Sequence, residues 1–277
     1  MTAGWLRAAL QRLPMLGEAL RATDELARER DRLVDELTRL RAASAVRPIV
    51  GSTQLSRSAP ALSVEETAIV DRFHDLYYRM WQRGHNTLVS SWLGYKTLKC
   101  PLDMWIYQEL LVSYRPDLII ECGTCFGGSA IFMATVCDLL GHGRVLSIDI
   151  DAAIEAMRPR HPRIEYVIGS STDPDIVGEV VRQAAMVDRI IVILDSDHTQ
   201  AHVAAELEAY GWMVPRNGYL IVEDTNLNGH PTAPEFGPGP MEALDDFIAA
   251  HPEFVVDRGL ERFLMTCNPR GFLLRTA

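Results

Sequence analysis

Two apolar runs of the sequence end in acids. ILDSDH carries Asp195, Asp197 and His198, and IVEDTN carries Glu223, Asp224 and Asn226. If the two runs are neighbouring strands, four carboxylates enter one cleft. Like charges at that density are costly unless a cation compensates them. Carboxylate oxygens suit a hard divalent ion such as Mg²⁺, Mn²⁺ or Ca²⁺. Glu223 lies 28 positions after Asp195 and 26 after Asp197, too far for one loop, so the ion site exists only if the strands are adjacent. The competing reading is a solvated acidic rim, with Asp197 capping the helix that starts beyond Thr199. His198, set beside the acids, is a candidate general base near neutral pH.

A second cluster precedes these. The run DLIIECG opens into Glu121-Cys-Gly-Thr-Cys-Phe-Gly-Gly-Ser129. Glycines there let the backbone turn tightly and approach a ligand, and the following helix offers free N–H groups. The next apolar run ends at Asp149, 28 positions after Glu121, where a carboxylate suits a ribose diol. A glycine turn followed by such an acid points to a nucleoside-bearing cofactor. The spacing E-x-G-x-x-x-G-x-S, with Gly123, Gly127 and Ser129, is not the G-x-G-x-x-G of dinucleotide binders. It favours S-adenosylmethionine, which has no pyrophosphate to cradle. A third run ends in Gly169-Ser170-Ser171-Thr172-Asp173, whose small hydroxyl residues are candidates for the adenine edge. Cys122 and Cys125 lack a second pair at zinc spacing and read as packing residues. The Gly- and Pro-rich stretch from Asn228 to Pro240 is a candidate substrate lid, with His230 and Phe236 as contacts. Trp92, Tyr95 and Lys96 are candidates for a second wall.

The elements that must position these residues follow from periodicity. Apolar strands alternate with amphipathic helices from Asp117 onward, which means an α/β fold with a mostly parallel central sheet and helices on both faces. FVVDRG and RFLMTCNPRGFLLR close the chain as a hairpin-like pair. Ser63 and Glu66 form a capping box for a helix near 64–82, and Pro101 to Tyr114 reads as a helix with Leu102, Trp105, Ile106, Leu110 and Leu111 on one face. Upstream, Leu26, Leu33 and Leu40 are seven apart, and Ala19, Thr23, Arg30 and Leu37 fill the alternating seam. The expected organisation is a helical segment over 1–45, able to form a short coiled coil and a homo-oligomer, a linker over 46–63 and one domain over 64–277.

Composition narrows the function classes. The chain has 277 residues, is 48% hydrophobic and 23% charged, and carries a formal net charge of −10. That balance argues against nucleic acid or an anionic membrane as partner, since both require a basic face. No run of 18 apolar residues occurs, so no membrane span is expected. The start has no signal-peptide pattern, and an odd count of five cysteines fits a reducing, cytoplasmic setting.

ECGTCFGGSAIFMA, VLSIDID, ILDSDH, LIVEDTNLNGHP and FGPGPMEAL together resemble the cephalosporin hydroxylase / rhamnosyl O-methyltransferase family, over roughly residues 85–275. The resemblance implies a Rossmann-like class I methyltransferase fold, S-adenosylmethionine as donor, and a divalent ion, usually Mg²⁺. It places Glu121, Gly123, Gly127 and Ser129 along the methionine part of the donor, Asp149 on the ribose and Ser171 in the adenine region. It makes Glu223 and Asp224 metal ligands, with either Asp195 or Asp197 as the third, and puts His198 where related sugar methyltransferases place a base. Asp195 also falls at the donor site. The implied acceptor is a hydroxyl of a deoxysugar or related natural product. The rival readings are a non-catalytic subunit of a two-protein modification system and an NAD-dependent enzyme, the latter disfavoured by the glycine spacing.

Overall fold

The computed structural model describes residues 14–44, 59–82 and 90–277. The chain forms two compact units, Met1–Val46 and Arg47–Ala277. In the first, helix α1 (Pro14–Ser44) leaves Leu26, Leu33 and Val34 exposed. Arg30, at a seam position, pairs with the adjacent Asp31. The side chains of Ala19, Leu37 and Leu40 lie outside the described residues, as does most of the expected linker.

The second unit opens with α2 (Val64–Gln82). Its capping box forms as expected: the Ser63 N–H donates to Glu66 Oε2 at 2.8 Å and the Glu66 N–H donates to Ser63 Oγ at 3.2 Å. A short antiparallel hairpin follows, β1 (Ser90–Trp92) with β2 (Tyr95–Thr97). Helix α3 (Pro101–Tyr114) has proline in its first turn and stops at Arg115, which takes a left-handed backbone. Ile106, Leu110 and Leu111 of α3 are buried, but Trp105 is 58% exposed. The expectation that Trp105 shares the buried face was therefore wrong. It directs its indole N–H to Glu109, one turn along on the solvent side.

Then come β3 (Leu118–Cys122), α4 (Gly128–Leu140), β4 (Arg144–Asp149), β5 (Ile164–Ile168), α5 (Pro174–Ala184), β6 (Ile190–Leu194), α6 (Gln200–Tyr210), β7 (Tyr219–Val222), α7 (Pro240–Ala250), β8 (Phe254–Val256) and β9 (Phe272–Arg275). The seven strands β3 to β9 form one sheet in the order β5-β4-β3-β6-β7-β9-β8. The first five are parallel, and β9 runs antiparallel between β7 and β8. The C-terminal hairpin is thus real, but only Phe272–Arg275 of its second segment is strand. Residues 258–271 are a short 3₁₀ turn and loop.

Alternation along the strands builds two cores. Leu118, Ile120, Cys122, Leu146 and Ile148 face α5, α6 and α7, whereas Ile119, Val145, Ile191 and Ile193 face α3 and α4. Strands buried on both faces read as continuous apolar runs, which is how they stand in the sequence. The topology also fixes where a ligand goes. From β3 the chain winds outward through β4 to β5, then returns to β6 on the other side of β3. That reversal opens a crevice at the carboxyl ends of β3 and β6. No helix among the described residues is long and apolar enough to cross a membrane.

Candidate active site

Register alone brings the chemistry together. Cys122 pairs with Leu194, and Leu194 with Val222, so Gly123, Asp195 and Glu223 each stand one step beyond a paired position on three adjacent strands. Backbone bonds continue the ladder through them: Asp195 N–H to Cys122 O at 2.8 Å and Glu223 N–H to Leu194 O at 3.0 Å. Gly123, with φ +98°, presses against this edge; a Cβ there would lie 1.8 Å from the carbonyl oxygen of Asp195. Only glycine permits that approach.

A cavity of about 620 Å³ opens over these strand ends. Its wall includes Gly123, Ser129, Asp149, Ser171, Asp195, Asp197, His198 and Asp224. Its size is that of a small-molecule site. Asp149 Oδ2 accepts the backbone N–H groups of Thr124 (2.9 Å) and Cys125 (2.6 Å), and the buried guanidinium of Arg158 lies 3.4 Å away. The acid is thus anchored by the glycine turn it faces. Glu121, like Gly127, is not among the residues that line the cavity: it is fully buried on β3, behind that wall. Its Oε2 accepts from Ser147 at 2.5 Å, while Oε1 has no partner. Burial pushes its carboxyl above the usual range, with Lys99 and the Ser129 hydroxyl opposing. Gly127 does not line the cavity. It turns the chain into α4 with φ +74°, where a Cβ would strike Pro159 and Tyr166.

At the other end of the cavity, ligand atoms of Asp195, His198 and Asp224 all lie within 4.8 Å of one another. His198 Nε2 is 3.3 Å from Asp224 Oδ2. Asp224 has a left-handed backbone, φ +55°, and its N–H is held by Asn268 Oδ1 at 3.1 Å. A non-glycine residue in that region is uncommon and marks a position the surroundings enforce.

The remaining expected ligands lie elsewhere. Asp197 turns back on its own loop and not, as its spacing also allowed, onto the helix as a cap: its Oδ1 accepts the Thr199 N–H at 2.8 Å and the Thr199 hydroxyl at 2.6 Å, bracing the residue before α6. Those bonds hold its carboxyl below the usual value. Glu223 is buried against Lys99 and accepts the Tyr107 hydroxyl at 2.6 Å.

Lys99 is the residue that sequence reasoning missed. Its ammonium is buried and pairs with both Asp195 and Glu223. Burial works against its charge, but the two carboxylates outweigh burial and raise its pKa. One ammonium does not balance three acids. Burial pushes Asp195 up to about 6 despite Lys99, and burial also raises Glu223 and Asp224. The surplus negative charge and the carboxylate oxygens of Asp195 and Asp224 fit a hard divalent cation, with the His198 imidazole beside them.

Of the other candidates, Lys96 lines the cavity with its ammonium over the Phe126 ring, and α2 contributes Trp81 to the same wall. Trp92 packs edge-on against Phe132 and donates to Thr135, away from the cavity. His230 turns to Glu242 at 2.9 Å, and neither it nor Phe236 reaches the cavity wall.

The family described as rhamnosyl O-methyltransferase/CmcI matches residues 84–276. The rhamnosyl O-methyltransferase of Mycobacterium tuberculosis (strain ATCC 25618 / H37Rv) is 37% identical over 215 residues, covering 75% of this chain and 85% of that protein. That of Mycobacterium leprae (strain TN) is 39% identical over 214 residues, covering 75% and 91%. Among solved structures, apo CmcI superposes with a TM-score of 0.54 at 18% identity, covering 84% of this chain and 91% of the other. CmcI with Mg and SAM gives 0.51 at 18% identity over the same shares. These two likenesses establish the shared fold.

Proposed function

We propose that this chain, which belongs to the rhamnosyl O-methyltransferase/CmcI family, methylates a hydroxyl of a deoxysugar or related natural product with the help of a divalent cation and His198. Its family makes it a S-adenosylmethionine-dependent O-methyltransferase. The acceptor class, the ion and the base are our reading. The observation that carries it is the meeting, in one cavity, of a glycine turn anchored to Asp149 and the cluster Asp195–His198–Asp224.

S-adenosylmethionine supplies an electrophilic methyl on a sulfonium. Glu121, whose buried Oε1 lacks a partner, is suited to a cationic amine of that donor, and Asp149 to its ribose. Both stand on or directly beyond strands, so the donor is held by the rigid part of the fold. A divalent ion, Mg²⁺ in the CmcI structure that carries the same fold, would be held by the carboxylates of Asp195 and Asp224, with Glu223 nearby, and would lower the pKa of an acceptor hydroxyl. His198 takes the acceptor proton on Nδ1, the ring nitrogen turned from Asp224, and Asp224, 3.3 Å from Nε2, stabilises the imidazolium that forms. Trp81 and Phe126 give the acceptor an apolar wall, which suits the C–H face of a sugar ring. Alignment of donor and acceptor contributes up to roughly 7–11 kcal/mol in such reactions.

Asp224→Asn tests the ion. Turnover of a deoxysugar acceptor should fall at least about a hundredfold, and calorimetric Mg²⁺ binding should weaken in parallel, with the melting temperature little changed. His198→Asn should lose comparable turnover while keeping Mg²⁺ affinity if the imidazole is the base. Full turnover in excess EDTA would overturn the metal role.

A further inference from the structure

A buried acid stands behind the cavity wall, outside the chemistry above. Glu206, on α6, is fully buried. Its Oε1 accepts the hydroxyl proton of Ser171 and, at 2.6 Å, that of Ser196. The two serines arrive from different strands, Ser171 beyond β5 and Ser196 beyond β6, and both line the cavity. His202, one helical turn before Glu206, places Nε2 3.2 Å from Ser171 Oγ and 3.4 Å from Glu206 Oε1. The Tyr210 hydroxyl donates to the Ser171 carbonyl at 2.6 Å and fixes that backbone. Glu206 Oε2 is buried without a partner.

Each serine hydroxyl has one proton to give and two lone pairs. A carboxylate can only accept, so both protons are committed to Glu206. With the Ser171 proton on Glu206, Nε2 of His202 meets two acceptors and must itself carry the hydrogen. That uses one lone pair of Ser171 and leaves the other. What Ser171 and Ser196 turn toward the cavity is therefore acceptor character alone. A free serine would rotate to suit either a donor or an acceptor; these two cannot. Beside Asp149, Ile150 adds an apolar side chain to the same lining.

We infer that Glu206 is a positioning residue for donor specificity: by holding the Ser171 and Ser196 hydroxyls as acceptors, it makes the site select a 6-amino purine over a 6-keto purine. An exocyclic amine finds lone pairs to donate to. A keto oxygen in its place meets lone pairs and leaves them unpaired, the situation in which polar sites discriminate strongly. The inference rests on the reading that the donor binds here with its ribose at Asp149.

The test is calorimetric titration with S-adenosylhomocysteine and with S-inosylhomocysteine. The unmodified protein should bind the adenosyl compound about a hundredfold more tightly. Glu206→Met should reduce that ratio below about tenfold, and Glu206→Gln, whose amide oxygen still accepts, should restore most of it. If Glu206→Met does not fold, the Ser171→Ala/Ser196→Ala double variant takes its place, with the same loss of preference expected. Equal affinity for both purines in the unmodified protein overturns the inference and leaves the donor reading intact. So does a loss of affinity in Glu206→Met that is proportional for both compounds, which is the mark of a merely structural role. Failure of the unmodified protein to bind either compound overturns the donor reading, and the inference with it.

Discussion

His74, buried on α2, accepts at Nε2 from the Asn226 side-chain amide at 3.0 Å, and Asn226 begins the loop beyond the acidic strand end. A protonated ring would set donor against donor, and burial lowers the His74 pKa to about 4. The unfolded value is near 6.5, so the unfolded chain binds the extra proton between those values. Stability contributed by neutral His74 is complete above about pH 6.5 and is lost as pH falls toward 4. Integrated from pH 7 to pH 5, the loss is about 2 kcal/mol. His74→Gln, which keeps an acceptor and removes the titration, should shrink the difference in urea-unfolding free energy between those pH values by about that amount. An unchanged difference would show that another group carries the acid sensitivity. Such single-residue effects were only partly legible in the sequence. The acids and His198 stood out because they follow apolar runs. Lys99 did not, because its partners Asp195 and Glu223 lie 96 and 124 positions away, and nothing local marks a lysine that will be buried. Asp197 was ambiguous for a different reason: a carboxylate just before a helix can serve as cap or ligand, and here its bonds to Thr199 make it neither.

At the scale of elements, the strands were legible because burial on both faces leaves an uninterrupted apolar run, and their adjacency followed once α/β alternation was granted. The loop from Asn228 to Gly239 was not. Its glycines and prolines suggested a lid, but its side-chain contacts run to α7, and the Pro238 carbonyl accepts the Gln200 N–H at the start of α6 at 3.3 Å. Glu242 Oε1 takes the Asn228 amide at 3.0 Å and His230 Nε2 at 2.9 Å, and Oε2 takes the Gly239 N–H at 2.7 Å. Although burial raises it, these bonds hold the Glu242 carboxyl down at about 2. One side chain therefore closes the loop and caps the helix. Composition reports that a segment is irregular, not which carboxylate gathers it. Glu242→Ala should cost about 1–3 kcal/mol in urea unfolding, because three donors lose a charged acceptor at once. It should also open residues 228–239 to limited proteolysis under conditions in which the unmodified loop survives. A resistant loop in the variant would mean that its own turns hold it.

The whole molecule divides its tasks between two units. Everything placed in the cavity comes from Arg47–Ala277, which has its own two cores, one on each face of the sheet. Met1–Val46 contributes a 31-residue helix whose described side chains are almost all solvent-facing, with Leu26 72% and Leu33 54% exposed. A lone helix in water gains little from propensity, since its stability in proteins comes mostly from packing an apolar face. Leu26 and Leu33 stand seven apart and form an exposed apolar stripe. We propose that a second copy of the same helix covers that stripe, with Arg30, at a seam position, paired to the adjacent Asp31. Deleting residues 1–46 should therefore lower the mass seen by multi-angle light scattering to that of one chain. The same variant should keep its melting temperature within a few degrees and retain S-adenosylhomocysteine binding, because no cavity residue is removed. An unchanged oligomeric mass would move the self-association to the surface of the larger unit. A truncated chain that no longer folds would mean that α1 packs on that unit as part of its core.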